Sequence, residues 1–145
     1  MTGIEFHVNV PDKLNYSCRL LRKAYRSGAK AVVTAEPDVL LQLDQLLWTY
    51  SSTEFLPHCR SDSPPQTMAS TPIWLAEQLN ACPSGSVLIN LGQQVPSDFE
   101  RFERFIEVAS SQESDRLAAR DRWKYYRDRG YSLKRHELPS SSEAA

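Results

Sequence analysis

The chain has 145 residues, 41% of them apolar and 24% charged, which suits one globular domain with a single hydrophobic core. Its formal net charge of −1 excludes proteins that bind polyanions through a uniformly basic surface. The N-terminus lacks a signal-peptide pattern, and no apolar run approaches the roughly 20 residues that span a bilayer. We therefore expect a cytoplasmic protein with no membrane segment and with free thiols at its widely separated cysteines, Cys18, Cys59 and Cys82.

The N-terminal part of the chain has the pattern of a strand, a helix and a second strand. Residues 4–10 alternate between apolar and polar, which predicts a strand that ends at Pro11. A helix is expected over 13–27, with Gly28 just past its C-terminus, and the apolar run 30–34 predicts a buried strand. The short connections on both sides of the helix indicate a right-handed crossover between parallel strands.

A second helix is predicted to begin at Pro37, with a stripe of leucines along one face. The segment after it carries apolar residues where a loop is expected. These residues either form an exposed surface for a partner or fold back over the helix and complete the core. The residues concerned are Trp48, at the end of the helix, and Phe55, Leu56 and Pro57 in the segment after it. Residues 60–70 are polar and contain two prolines, which predicts an exposed, mobile loop.

The rest of the chain predicts further strands and one long helix. Residues 72–76 and 87–91 have the apolar composition of strands, and 96–101 suggests a short turn or helix. Residues 102–109 fit a helix or a strand, and their periodicity does not decide between them. A final helix is predicted over 115–130, where Gly130 has the position of a C-terminal cap.

These elements predict one α/β domain over residues 1–137 and a disordered C-terminal tail over 138–145. We expect three layers, with a mostly parallel sheet and helices on both of its faces.

The final helix combines a row of cations with an apolar edge. The cations recur at helical spacing, and the adjacent edge contains Ala119, Trp123 and Tyr126. Two further arginines, Arg122 and Arg129, make a second cationic row. This pattern indicates either a site for an acidic partner or a solvated amphipathic helix with its aromatic edge in the core. The cations of the first row are Arg116, Arg120, Lys124 and Arg127.

The sequence lacks the usual signatures of a catalytic or cofactor site. The loop after the first strand, 11–13, contains no glycine, whereas phosphate-binding loops of this architecture need glycines. The histidines His7, His58 and His136 lack metal-ligand spacing, and we expect His7 to be hydrogen-bonded on the sheet. No nucleophile elbow is present. We therefore expect no enzyme activity, no cofactor and no metal.

The chain contains, in order, LDQLLWTY at 43–50, EFLPH at 54–58, VLINL at 87–91 and AARDRWKYYRDRGYSL at 118–133. Taken together, these motifs resemble the chi-subunit family of the bacterial DNA polymerase III holoenzyme. The resemblance implies a Rossmann-like fold without a phosphate-binding loop, and a non-catalytic accessory subunit of the replicative polymerase. Residues 59–77 depart from the composition that is usual in the family.

By this resemblance, the protein would link the clamp loader, through the psi subunit, to single-stranded DNA-binding protein, and would contact DNA only indirectly. The final helix would bind the acidic, phenylalanine-ended tail of that protein, with Trp123 beside the site and Tyr126 turned toward the core. The tail's carboxylates would be held by Arg116, Arg120, Lys124 and Arg127. The psi subunit would contact Trp48, Phe55, Leu56 and Pro57.

An alternative function for the final helix is direct binding of single-stranded nucleic acid, with aromatic rings stacked on bases and cations on phosphates. The net charge of −1 and the interleaved Asp121 and Asp128 disfavour it, because a surface that follows phosphates is more uniformly basic.

Overall fold

The structure, a computed structural model, describes residues 3–50, 56–60, 71–79 and 87–138. Within these ranges the chain forms one seven-stranded sheet and three α-helices. The helices are α1 (Lys13–Arg26), α2 (Pro37–Thr49) and α3 (Glu113–Asp128). The strands are β1 (Gly3–Val10), β2 (Ala31–Thr34), β3 (His58–Arg60), β4 (Ile73–Leu75), β5 (Val87–Asn90), β6 (Arg104–Ser110) and β7 (Leu133–Glu137). None of these helices is long and apolar enough to cross a bilayer.

Every strand pairing in the sheet is parallel, and the strand order is β3-β4-β2-β5-β6-β1-β7. The predicted parallel arrangement of β1 and β2 is confirmed, although β5 and β6 lie between them. Helix α3 connects β6 to β7, which are the two neighbours of β1. Helix α3 therefore lies over β6, β1 and β7, at the β7 edge of the sheet.

One face of the sheet is covered by α1 and α2. Asp12 caps α1 by accepting a hydrogen bond from the amide of Asn15 at 3.1 Å, and the helix buries Cys18 and Leu21. Burial raises the pKa of the Cys18 thiol to about 12, so this cysteine stays protonated and unreactive. Cys18 is a free thiol, as predicted. The buried leucines of α2 are Leu40, Leu43 and Leu47.

The opposite face is covered by α3. Its buried residues pack against an aromatic cluster in which Tyr126 contacts Phe6, Phe99 and Phe105 at ring distances of 5.3–5.9 Å. Tyr126 has no exposed surface, so the prediction that it faces the core is confirmed. The three-layer α/β architecture is also confirmed.

The ambiguous segment 102–109 forms strand β6 in the middle of the sheet. Its residues from Phe105 to Ala109 are all buried, because neighbouring strands and helices cover them on both sides. A strand buried on both faces shows no alternation between apolar and polar residues, which explains why its periodicity was uninformative. The short turn predicted at 96–101 contains a 3₁₀ helix, Phe99–Arg101.

Two predictions about loops and ends need correction. The sequence placed Arg60 in a mobile loop, but Arg60 belongs to β3, next to Cys59, which is buried against the sheet. The sequence also missed β7, because its residues LKRHE carry little apolar signal in a strand that pairs with β1 at the edge of the described sheet. The amide of Leu138, the residue after β7, donates to the carbonyl of Val8 at 3.1 Å. Residues 61–70 and 139–145 lie outside the described part of the chain.

Candidate peptide-binding groove

The first turn of α3 is fixed by the carboxylate of Asp115. It accepts hydrogen bonds from the amide of Ser110 at 2.6 Å, from Lys13 Nζ at 3.1 Å and from Gln93 Nε2 at 2.7 Å. Burial alone would raise the pKa of Asp115, but the Ser110 amide and the Lys13 ammonium outweigh burial and lower it. The ionised carboxylate therefore ties α3 to the end of β6 and to α1.

The middle of α3 is fixed by a buried ion pair. Arg122 Nε donates to Glu107 Oε1 at 3.0 Å, and the Tyr126 hydroxyl donates to Glu107 Oε2 at 2.6 Å. Arg122 Nη1 also donates to the carbonyl of Gln93 at 2.9 Å, and Asn90 Nδ2 donates to Glu107 Oε1 at 3.0 Å. The prediction that Arg122 belongs to a second cationic row is therefore wrong, because its side chain is 3% exposed and neutralised inside the domain.

A groove of about 640 Å³ lies between α3 and the β1–β7 edge of the sheet. Its floor is apolar and includes Phe6 and Val8 from β1, Ala109 from β6 and Ala119 from α3. Trp123 closes one side, with its ring edge-to-face on Phe6 at 5.1 Å between centroids. An apolar floor beside an aromatic wall is suited to a large apolar side chain.

The rim of the groove is mainly cationic. Arg116 and Arg120 contribute from α3, and Arg135 contributes from β7. Glu137 also lines the groove and accepts a hydrogen bond from Arg135 Nη2 at 2.5 Å. Three exposed guanidinium groups around an apolar floor can hold carboxylates while an attached apolar group enters the groove.

The end of the groove is shaped by an irregularity in β1. Asn9 has a φ of 60°, and the pairing of β1 with β6 shifts between His7 and Val10. As a result Val10 packs with the α1–α2 core, whereas Phe6 packs with the α3 core. Asn9 also donates from Nδ2 to the carbonyl of Leu138 at 3.1 Å, which holds the end of β7 in place.

The structure brings together only some of the residues predicted for the acidic-tail site. Arg116, Arg120 and Trp123 line the groove. Lys124 and Arg127 are exposed on the next turns of α3, outside the groove lining, and Arg127 contacts Asp128 at 3.4 Å. Sequence reasoning missed Arg135 as a groove residue, because its position depends on β7. The only sequence signal for it was the excess of seven cations over two acids between 120 and 135.

The residues predicted for the psi interface lie on the other face of the molecule, around α2. Trp48 is 58% exposed and its ring lies 4.8 Å from that of His58. Pro57 is half-buried. Leu56 is 1% exposed, so of the two alternatives left open for this segment the second applies to this residue, which folds back into the core beside α2. Phe55 lies outside the described residues.

A second cavity, of about 610 Å³, lies at the carboxyl end of the sheet, where related architectures bind nucleotides. The described residues that line it include the acids Glu36, Glu77 and Asp98 and no cation. Such a lining repels phosphate groups, in agreement with the missing glycines of the first loop.

Comparison with known proteins assigns the chain to a family. The family model described as DNA polymerase III chi subunit, HolC, matches residues 1–134. The DNA polymerase III subunit chi of Pseudomonas aeruginosa PAO1 is 32% identical over 96% of this chain and 99% of the relative. The subunit of the same name from Haemophilus influenzae is 31% identical over 81% of each chain. That of Escherichia coli K12 is 25% identical over 80% of this chain and 79% of the relative. The chain therefore belongs to the chi-subunit family of DNA polymerase III.

Proposed function

We propose that this chain is a non-catalytic accessory subunit that joins the clamp loader, through a psi subunit, to the acidic C-terminal tail of single-stranded DNA-binding protein. The observation that carries the proposal is the groove, where three arginines surround an apolar floor. A tail that ends in phenylalanine offers a ring, a terminal carboxylate and aspartates within a few residues. The groove provides an apolar surface for the ring and charge-assisted hydrogen bonds for the carboxylates.

The spacing of the cations along α3 extends this site beyond the groove. Arg120 and Arg127 are seven residues apart, or about 10 Å along a helix that rises 1.5 Å per residue. An extended peptide covers that distance in about three residues, at about 3.3 Å each. With the terminal phenylalanine in the groove, upstream aspartates reach the exposed Lys124 and Arg127. The four predicted cations then bind carboxylates at successive positions of one peptide.

The test is a titration of the purified chain with a fluorescent peptide that has several aspartates and a C-terminal phenylalanine. We expect a dissociation constant in the micromolar range, about −8 kcal/mol, that weakens as salt screens the exposed charges. A matched peptide with alanine in place of the phenylalanine should bind at least about tenfold more weakly, since the groove floor is apolar. Equal affinity for the two peptides would contradict the proposed occupancy of the groove.

The same titration separates this proposal from direct nucleic-acid binding. A single-stranded oligonucleotide without any protein tail should show no binding at moderate salt, because Glu137 lies in the groove and Asp121 and Asp128 interrupt the cations of α3. Binding of the oligonucleotide in competition with the peptide would favour the nucleic-acid alternative.

The psi side of the proposal rests on Trp48. A large exposed aromatic on a helix commonly forms the centre of an interface, and its truncation costs about 2 kcal/mol or more. Trp48→Ser should therefore weaken capture by the psi subunit about 30-fold, whereas Gln45→Ser, an exposed position of the same helix, should leave it unchanged. Peptide affinity should be the same in both variants, because α2 and the groove lie on opposite faces. Undiminished psi capture by Trp48→Ser would exclude this surface.

A further inference from the structure

Three potential metal ligands meet on the face of the β1–β7 edge that lies opposite the groove. Glu5 and His7 project to the same side of β1, and parallel pairing places His136 directly beside His7. One donor atom from each of the three residues lies within 4.8 Å of the others. Glu5 and His136 are 131 residues apart in the sequence, which is why their spacing gave no metal motif.

His7 is already oriented as a ligand. Its Nδ1 is hydrogen-bonded to the Tyr16 hydroxyl at 2.5 Å, and its Nε2 is buried with no hydrogen-bond partner among the described residues. A metal-bound histidine commonly uses one nitrogen for the ion and the other for such a hydrogen bond.

Glu5 and His136 complete the set. His136 Nε2 lies 3.2 Å from Glu5 Oε1, a separation close to that between neighbouring ligands of one ion. Glu5 Oε2 accepts a hydrogen bond from Arg104 Nε at 2.5 Å, which orients the carboxylate and leaves Oε1 toward the histidines.

We propose that Glu5, His7 and His136 bind a divalent transition-metal ion of the zinc type. Two imidazole nitrogens and one carboxylate oxygen form a ligand set that Zn²⁺ accepts, with water in the fourth position. The ion satisfies the buried Nε2 of His7 and fastens β7 to β1. Because residues alternate along a strand, the same segment of β7 presents Arg135 to the groove. The ion therefore stabilises the outer wall of the groove.

The test uses the intact 145-residue chain, stripped of metal and titrated with Co²⁺ as a coloured substitute and then with Zn²⁺. We expect one equivalent to bind, with the weak visible bands of nitrogen and oxygen ligands and without the strong thiolate band that a cysteine would add. Zn²⁺ should also raise the melting temperature, because it binds the folded state.

Variants identify the ligands. His136→Ala should abolish the binding, whereas Lys134→Ala, an exposed neighbour on the same strand, should leave it unchanged. His136 is exposed, so its removal does not disturb the core. Tyr16→Phe should weaken Zn²⁺ affinity about tenfold through the lost hydrogen bond to His7. Failure of the unaltered chain to bind Zn²⁺, a thiolate band in the Co²⁺ spectrum, or equal affinity in His136→Ala would each overturn the proposal.

Discussion

Arg122→Met is expected to lower the free energy of unfolding by about 3–5 kcal/mol at pH 7, the usual cost of removing one partner of a buried ion pair. The substitution leaves the Glu107 carboxylate, whose side chain is 0% exposed, without its cation. Burial raises the pKa of Glu107 even with Arg122 beside it, so an ionised Glu107 depends strongly on that partner. Chemical denaturation followed by circular dichroism measures the change.

The loss should depend on pH in a defined direction. In the variant the pKa of Glu107 rises further above its value of about 4.3 in the unfolded chain. At pH values between these two pKa values, the folded variant binds a proton that the unfolded chain does not, so its stability increases as the pH falls. The deficit relative to the unaltered protein should therefore shrink between about pH 7 and pH 5. A deficit below about 1 kcal/mol at pH 7, or one independent of pH, would show that Glu107 is not an uncompensated buried charge in the variant.

Two controls isolate the ion pair. Arg120→Met removes an exposed arginine from the same helix and should change stability by no more than about 0.5 kcal/mol. Combining Glu107→Gln with Arg122→Met removes both charges, and the amide of glutamine can still accept a hydrogen bond from Asn90. The double variant should be more stable than Arg122→Met alone, because no unpaired charge remains buried.

The second large effect is on peptide binding. Arg120→Glu should weaken the affinity for the acidic, phenylalanine-ended peptide by about 10- to 100-fold, the equivalent of one charge-assisted hydrogen bond of about 1.5–3 kcal/mol. Arg120 lies on the rim between the groove and the exposed part of α3, so its carboxylate replacement faces the peptide's carboxylates. Fluorescence anisotropy at low and moderate salt measures the affinity.

Matched charge reversals give this prediction its specificity. Arg19→Glu changes the net charge by the same amount at an exposed position of α1, on the opposite face of the sheet, and should alter the affinity by less than about twofold. Arg127→Glu should weaken binding less than Arg120→Glu, because Arg127 lies outside the groove and reaches only the upstream aspartates. Similar losses in Arg19→Glu and Arg120→Glu would indicate a general effect of net charge and would remove the support for a localised site.

Much of the fold follows from periodicity in the sequence. The alternation in β1 and the helical stripes of α1 and α2 each gave the correct element, because their buried and exposed residues differ in polarity. The same reasoning placed Tyr126 on the apolar edge of α3 and identified Arg116, Arg120 and Trp123 as parts of one surface. These predictions depend only on local geometry, since residues three or four apart lie on one face of a helix.

Reasoning from periodicity and polarity did not predict the burial of Arg122. Asp115, Ala119, Arg122 and Tyr126 recur at intervals of four, three and four, and all four are buried. The sequence contained this stripe, but two of its members are charged, and charge normally marks a solvent-facing position. Only the tertiary structure supplies Glu107 and Lys13, the partners that allow these charges to be buried. The sequence likewise did not show whether the apolar Leu56 contacts a partner or the core, because that also depends on the tertiary structure.

The sequence by itself determined the three helices and most of the strands, the absence of a phosphate-binding loop and the cationic face of α3. The tertiary structure decided which residues lie beside that face. Strand β7 is short, polar and exposed, so local patterning did not predict it, yet its pairing with β1 adds Arg135 to the groove and brings His136 beside His7. Both sites join residues from the two ends of the chain, and a parallel strand pairing of that range is set by the packing of the whole sheet.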